Sequence, residues 1–188
     1  MAKVLILPGL HNSGPSHWQS LWLAAHPEYR RVVQEDWTRP RSEDWIRVLD
    51  EAVLAAGKEV PVLVAHSTAC ALVGHWWVRH KRRIRGALLV APSDTQARSY
   101  PRGPQGFAPM PLHVLPFPTI VVASRNDPAV SFSRARFFAE CWGSELIDLG
   151  VAGHINEKSG YGPWPDAHKL VERLLLQPVI GKSDEPKV

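Results

Sequence analysis

Strand-like and helix-like patterns alternate along this chain from end to end, and that alternation admits few folds. Six short apolar runs, Lys3 to Leu7, Arg31 to Gln34, Val60 to Ala65, Ala87 to Ala91, Thr119 to Ala123 and Glu145 to Leu149, read as buried strands. Helical stripes separate most of them. Trp18, Leu21, Trp22 and Ala25 fall at i, i+3, i+4 and i+7, with Pro15 suited to the first helical position. Trp45, Val48, Leu49, Ala52, Val53 and Ala56 form a second face, with Ser42 as its cap and Gly57 as its stop. Ala69 to Val78 is apolar nearly all round and predicts a central buried helix. Ser133 to Trp142, ended by Gly143, and Ala167 to Leu175, closed by Pro178, complete the set. Alternation of this kind predicts an α/β fold, a three-layer sandwich of about six mostly parallel strands with helices on both faces.

The chain has 188 residues, which suits one domain over residues 1–178 with a flexible C-terminal tail at 179–188. The composition, 45% hydrophobic and 21% charged, argues against wholesale disorder. No run approaches the roughly 20 apolar residues of a membrane span, and Val4 to Leu7 is too short for a secretory signal, so a cytoplasmic location is expected. Cys70 and Cys141 lack C-x-x-C spacing and read as reduced core residues. The net charge of +4 is concentrated between Arg79 and Arg85, at a predicted helix end, where cations complement the helix dipole and stay solvated. Neither a nucleic-acid nor a membrane partner is expected, and the oligomeric state is left open.

One segment breaks the rhythm. Pro92 to Pro118 carries seven prolines and no helical period. It follows the fourth strand, so it belongs on the face where open α/β sheets bind ligands, either as a functional loop or as a proline-stiffened surface excursion.

The string Val62-Leu63-Val64-Ala65-His66-Ser67-Thr68-Ala69-Cys70 sends a buried strand directly into a buried helix with a serine at the turn. Ala65 and Ala69 stand where the nucleophile-elbow pattern G-x-S-x-G has glycines. Serine is also a preferred helix cap, so the string alone leaves a structural role open. The rest of the chain favours catalysis. A nucleophilic serine needs a base, and the base needs an acid to orient it, in the order Ser, Asp or Glu, His for α/β-hydrolases. Asp127 follows the fifth strand and precedes Pro128; His154 follows the sixth strand and stands beside Gly153. Asp94, after the fourth strand, is the rival acid, and Asp148 lies within a strand pattern. His66 is expected to point away from the site, and His75 and His80 to belong to the helix. No metal-ligand spacing appears, so neither a metal nor another cofactor is expected.

An oxyanion hole takes one N–H from the residue after the nucleophile, here Thr68, and another from the loop after the first strand, with Leu10 first and His11 next. That loop, Gly9 to Ser16, also matches the phosphate-binding pattern G-x-x-x-x-G-K-S at all positions but one. Proline at position 15 replaces the lysine that would reach the phosphates, which argues against a nucleotide.

The strings Pro8-Gly9-Leu10-His11-Asn12-Ser13-Gly14-Pro15-Ser16-His17-Trp18-Gln19, Asp36-Trp37, Ala65-His66-Ser67, Asn126-Asp127-Pro128 and Gly153-His154-Ile155-Asn156 together resemble the small serine hydrolases grouped with retinoblastoma-binding protein nine and the bacterial YdeN-like proteins. The likeness runs from Val4 to about Leu176. It implies a compact α/β-hydrolase fold without the first two of the usual eight strands and without a large cap domain. It also implies Ser67 as nucleophile, Asp127 as acid and His154 as base. Thr68-Ala69 departs from the pattern, where such proteins often carry a larger apolar residue and a glycine. His11, Trp37 and Trp164 are candidate substrate-binding residues, while Trp18, Trp22 and Trp45 read as core. The expected activity is cleavage of a small acyl substrate, an ester, thioester or amide, through an acyl-serine. The alternative is a catalytically weak protein-interaction module on a hydrolase scaffold.

Overall fold

A computed structural model describes residues 3–179. The sequence-predicted tail at 179–188 lies outside the described residues except for its first position. Six strands, β1 (Val4–Leu7), β2 (Tyr29–Arg31), β3 (Val62–His66), β4 (Gly86–Val90), β5 (Thr119–Ala123) and β6 (Glu145–Asp148), form one sheet in the order β2-β1-β3-β4-β5-β6. Every neighbouring pair is parallel. Strand order reverses beside β1, so the loops after β1 and β3 open into one crevice at the carboxyl edge of the sheet.

Alternation of side chains along each strand divides the core in two. Leu5, Leu7, Leu63, Ala65, Ala87, Leu89, Val121 and Ala123 face α2 (Ser42–Ala55), α3 (Thr68–His80) and α4 (Phe132–Trp142). Val4, Ile6, Val62, Val64, Leu88, Val90, Ile120 and Val122 face α1 (Trp18–Ala25) and α5 (Pro165–Leu175). Trp18, Trp22, Trp45, Trp76 and Trp142 are all buried in these layers.

Several local expectations are corrected. β2 lies at Tyr29–Arg31, upstream of the predicted Arg31–Gln34. The apolar pair Val32-Val33 marks the predicted strand, but Val33 is exposed, and the residues that pair with β1 are Tyr29, Arg30 and Arg31, of which only Tyr29 is buried. The Arg31 guanidinium donates to Asn12 Oδ1 at 2.6 Å and Ser20 Oγ at 2.7 Å, and Tyr29 Oη pairs with His168 Nε2 at 2.8 Å. Helix α1 is capped by His17, whose Nδ1 accepts the Gln19 N–H at 3.2 Å, so Pro15 lies outside the helix. Arg41, not Ser42, occupies the cap of α2, in extended backbone and without a side-chain cap bond, while the Ser42 N–H donates to the Gln105 carbonyl at 2.8 Å. The basic run is not wholly solvated: Arg82 makes a bidentate pair with the largely buried Asp50 carboxylate, at 2.6 and 3.0 Å.

The proline-rich segment is divided between two roles. Phe107, Met110, Leu115 and Phe117 are buried in the core layer beside α3 and α4, and the Trp142 indole N–H donates to the Pro111 carbonyl at 2.7 Å. Its first residues instead reach the carboxyl edge of the sheet, where Ser93, Ser99, Tyr100 and Pro101 help to wall a cleft.

Candidate active site

β3 enters α3 through Ser67 at φ 61°, ψ −127°. Left-handed backbone in a non-glycine residue costs about 1–3 kcal/mol and persists only where the surroundings enforce it. Here β3 and the first half of α3, residues 68–74, are buried on both sides of the serine, and this packing holds the turn. Gly9 sits against it: a Cβ at that position would stand 2.7 Å from Ser67 Cβ and 3.2 Å from Ser67 Oγ. The loop after β1 can pass the serine this closely only without a side chain.

Ser67 Oγ is 2.9 Å from His154 Nε2, and His154 Nδ1 is 2.9 Å from each oxygen of Asp127. The Asp127 side chain is completely buried, and Ala129 N–H donates to its Oδ1 at 2.8 Å. A proton on His154 Nδ1 satisfies the carboxylate, which leaves Nε2 as an acceptor aimed at the serine hydroxyl. The loop carrying His154 is fixed from three directions. Gly153 N–H donates to Asn126 Oδ1 at 2.7 Å, His154 N–H donates to Ser159 Oγ at 3.1 Å, and Ala152 N–H donates to Ser124 Oγ at 3.0 Å. Gly153 itself adopts φ 56°, a conformation open to glycine at no steric cost.

The rival acid is occupied elsewhere. Asp94 accepts from Arg134 Nε at 2.8 Å, and its own N–H donates to the Ala129 carbonyl. Asp148 pairs with Arg125 at the exposed end of β6.

Of the candidate oxyanion donors, His11 N–H is used on the Trp37 carbonyl at 2.8 Å. The N–H groups of Leu10 and of Thr68, the first residue of α3, make no hydrogen bond to other described residues. Both residues line the cleft beside Ser67, and the α3 amino terminus adds the positive end of a helix dipole. Thr68 Oγ1 meets Tyr100 Oη at 3.3 Å.

The cleft encloses about 400 Å³ and is lined by both polar and apolar groups. His11 lines it, as the sequence suggests. Trp37 and Trp164 do not. Trp37 packs edge-on against Trp45 at 5.6 Å, and Trp164 packs edge-on against Trp18 at 5.5 Å and Tyr161 at 5.0 Å. Large aromatic surfaces close to the site in sequence are drawn into the core layers by burial and ring packing.

His66 also departs from expectation. Its ring lies under the site, Nε2 donating to the His154 carbonyl at 2.9 Å and the ring centroid 4.9 Å from that of His154. His17 packs edge-on to His66 at 4.9 Å and is only 3% exposed. Burial lowers the His66 pKa well below its usual value and brings that of His17 to about 4, so both rings are neutral at pH 7. Ser93 was not singled out by the sequence. It follows β4, is 4% exposed, and places its Oγ 2.9 Å from Ser67 Oγ. A small polar residue just past a strand carboxyl end was the only available signal.

Among the described residues, no group of three His, Cys, Asp or Glu side chains stands close enough to hold a metal ion, and no helix is long and apolar enough to cross a membrane.

Comparison with known proteins agrees with this architecture. The family model described as serine hydrolase matches residues 4–173. A putative YdeN-like hydrolase from Pectobacterium atrosepticum is 32% identical, with a TM-score of 0.81 over 95% of this chain and 94% of that one. The ydeN gene product of B. subtilis is 22% identical, with a TM-score of 0.68 over 93% and 98% of the two chains. A monoacylglycerol lipase from Paleococcus ferrophilus shares the fold at 12% identity, with a TM-score of 0.67 over 92% and 93%. No curated protein matches the chain. A six-stranded parallel sheet without a large cap, matched along nearly its whole length by these relatives, places the chain in the serine hydrolase family, among its small YdeN-like members.

Proposed function

We propose that this protein hydrolyses small esters, thioesters or amides through a covalent acyl-serine. The observation that carries the reading is the unbroken chain of 2.9 Å contacts from a buried carboxylate, through an imidazole, to a serine held in left-handed backbone. In this reading His154 takes the proton of Ser67 as Oγ attacks the acyl carbon, and returns it to the leaving group. Asp127 keeps the His154 proton on Nδ1 and stabilises the imidazolium. The N–H groups of Leu10 and Thr68 receive the oxyanion. Water then attacks the acyl carbon with His154 again as base, and Ser67 is released.

A cleft of about 400 Å³, with Leu10, Pro101, Pro128 and Ala129 beside several hydroxyls, suits an acyl group of modest size. No large cap covers it, which favours broad selectivity. Cys70 and Cys141 are both free thiols, in keeping with a reducing, cytoplasmic setting.

The test is labelling with a fluorophosphonate probe, followed by p-nitrophenyl esters of increasing chain length. Labelling at Ser67 is expected, with kcat of Ser67→Ala lower by roughly four to six orders of magnitude. Absence of labelling on the folded wild-type chain refutes the proposal. Ser67→Ala with an unchanged esterase rate does so equally.

A further inference from the structure

We propose that Ser93 is a catalytic residue of this site, whose hydroxyl assists the departure of Ser67 Oγ when the acyl-enzyme is hydrolysed. The inference rests on the acyl-serine reading above and adds a role to its second half.

The direction of the Ser93 hydrogen bond follows from its neighbours. Asp127 holds a proton on His154 Nδ1, so His154 Nε2 accepts and the single proton of Ser67 is committed to it. Ser67 Oγ can then only accept from Ser93 Oγ, 2.9 Å away. Ser93 is held firmly enough to keep that geometry. Its N–H approaches the Ser67 carbonyl at 3.4 Å, while the next residue, Asp94, is tied to Arg134 through its carboxylate and to Ala129 through its N–H. Leu10 follows β1 and Ser93 follows β4, and these strands flank β3 on opposite sides. The Ser93 hydroxyl therefore approaches the nucleophile from the side away from Leu10 and addresses Oγ itself, not the oxyanion.

This contact has different strengths at different stages. An alcohol oxygen, and still more one gaining negative charge, accepts a hydrogen bond well; the alkoxy oxygen of an ester accepts poorly. In acylation the C–Oγ bond forms, the Ser67 proton passes to His154 Nε2, and the bond from Ser93 weakens. In deacylation a water oxygen bonds to the acyl carbon and its proton passes to His154 Nε2. The C–Oγ bond then breaks, His154 returns the proton to Oγ, and the bond from Ser93 strengthens as the electron pair collects there. An interaction that grows along the reaction coordinate accelerates that step. Ser93 thus favours release of the acyl group over its accumulation.

Stopped-flow hydrolysis of p-nitrophenyl butyrate separates the two steps. For Ser93→Ala the acylation burst is expected within about twofold of wild type, while deacylation slows about five- to tenfold, the scale of one neutral hydrogen bond. Ser93→Thr, which keeps the hydroxyl, restores deacylation. Fluorophosphonate titration counts the folded sites in each preparation; should the alanine variant fail to fold, Ser93→Cys, close in volume but a weak donor, carries the same comparison. Equal slowing of both steps, or no slowing of deacylation, overturns the role of Ser93. Failure of the wild type to label at Ser67 would instead overturn the underlying acyl-serine reading.

Discussion

Acidification should destabilise this protein well above the pH at which its carboxylates titrate, because of His17. The ring is 3% exposed and Nδ1 accepts the Gln19 N–H, while Nε2 has no hydrogen-bond partner among the described residues. Burial is the largest cause lowering its pKa from 6.5 to about 4, with the nearby Arg31 charge acting in the same direction and Glu157 opposing it. Between those two values the unfolded chain binds a proton that the folded chain refuses. The contribution of His17 is therefore complete above pH 6.5, is lost as pH falls toward 4, and changes little below that. At about 1.4 kcal/mol per pH unit the gap amounts to about 3 kcal/mol. His66, also held neutral by burial, adds a loss of the same sign. The perturbation that isolates His17 is His17→Asn, since asparagine is an equally good helix cap but does not titrate. Urea unfolding followed by tryptophan fluorescence at pH 7 and pH 4.5 reads the difference. Wild type should lose about 2 kcal/mol more than the variant over that interval, a midpoint difference of about 1 M for a urea slope near 2 kcal/mol/M. Any cavity left by the smaller side chain lowers the variant equally at both pH values and cancels. Parallel losses in the two proteins would show that His17 is not the neutral, buried group described here.

Three substitutions test the packing that supports the site. Gly9→Ala would place a Cβ 2.7 Å from Ser67 Cβ and 2.9 Å from the His66 carbonyl oxygen; kcat/KM for a p-nitrophenyl ester should fall at least about 100-fold, the scale of a displacement near 1 Å at a reacting group. Gly74→Ala, midway along α3, would bring a Cβ to 2.6 Å from Pro111 Cγ, and overpacking should cost about 1–3 kcal/mol in denaturant unfolding despite alanine's better helix propensity. Asp50→Ala removes the acceptor shared by the Trp76 indole and the Arg82 guanidinium, at 3.1 and 2.6 Å, and should cost about 2–3 kcal/mol in the same assay.

Much of the architecture was legible because its physics is periodic. Strands buried on both faces produce apolar runs, and helices covering them produce stripes, so β1, β3, β4, β5 and β6 were found within a residue or two. The edge strand β2 was displaced because the apolar pair Val32-Val33 drew the reading downstream, whereas the strand itself is Tyr29–Arg31, with Arg30 exposed and only Tyr29 buried. The proline-rich segment was legible only as an interruption. Phe107, Met110, Leu115 and Phe117 are core residues, but without regular backbone they are spaced at neither 2 nor 3.6, and no period reveals them.

The site divides along a similar line. Ser67, Asp127 and His154 could be read because each stands at the end of a recognisable strand, in an order that the topology brings together. The residues beneath them could not. Whether His66 points into the site or away from it depends on the turn at Ser67 and on the position of the His154 carbonyl, which is 88 residues distant in sequence. Tryptophan near the site proved a poor guide, because Trp37 and Trp164 find more contact in neighbouring aromatic rings than in an open cleft. The two roles of the proline-rich segment follow from the same competition. Its apolar half is captured by the faces of α3 and α4, and this anchors the half bearing Ser93 and Tyr100 against the cleft. A chain with no large cap can thus give its nucleophile a fixed wall by fastening the far end of that wall into the core.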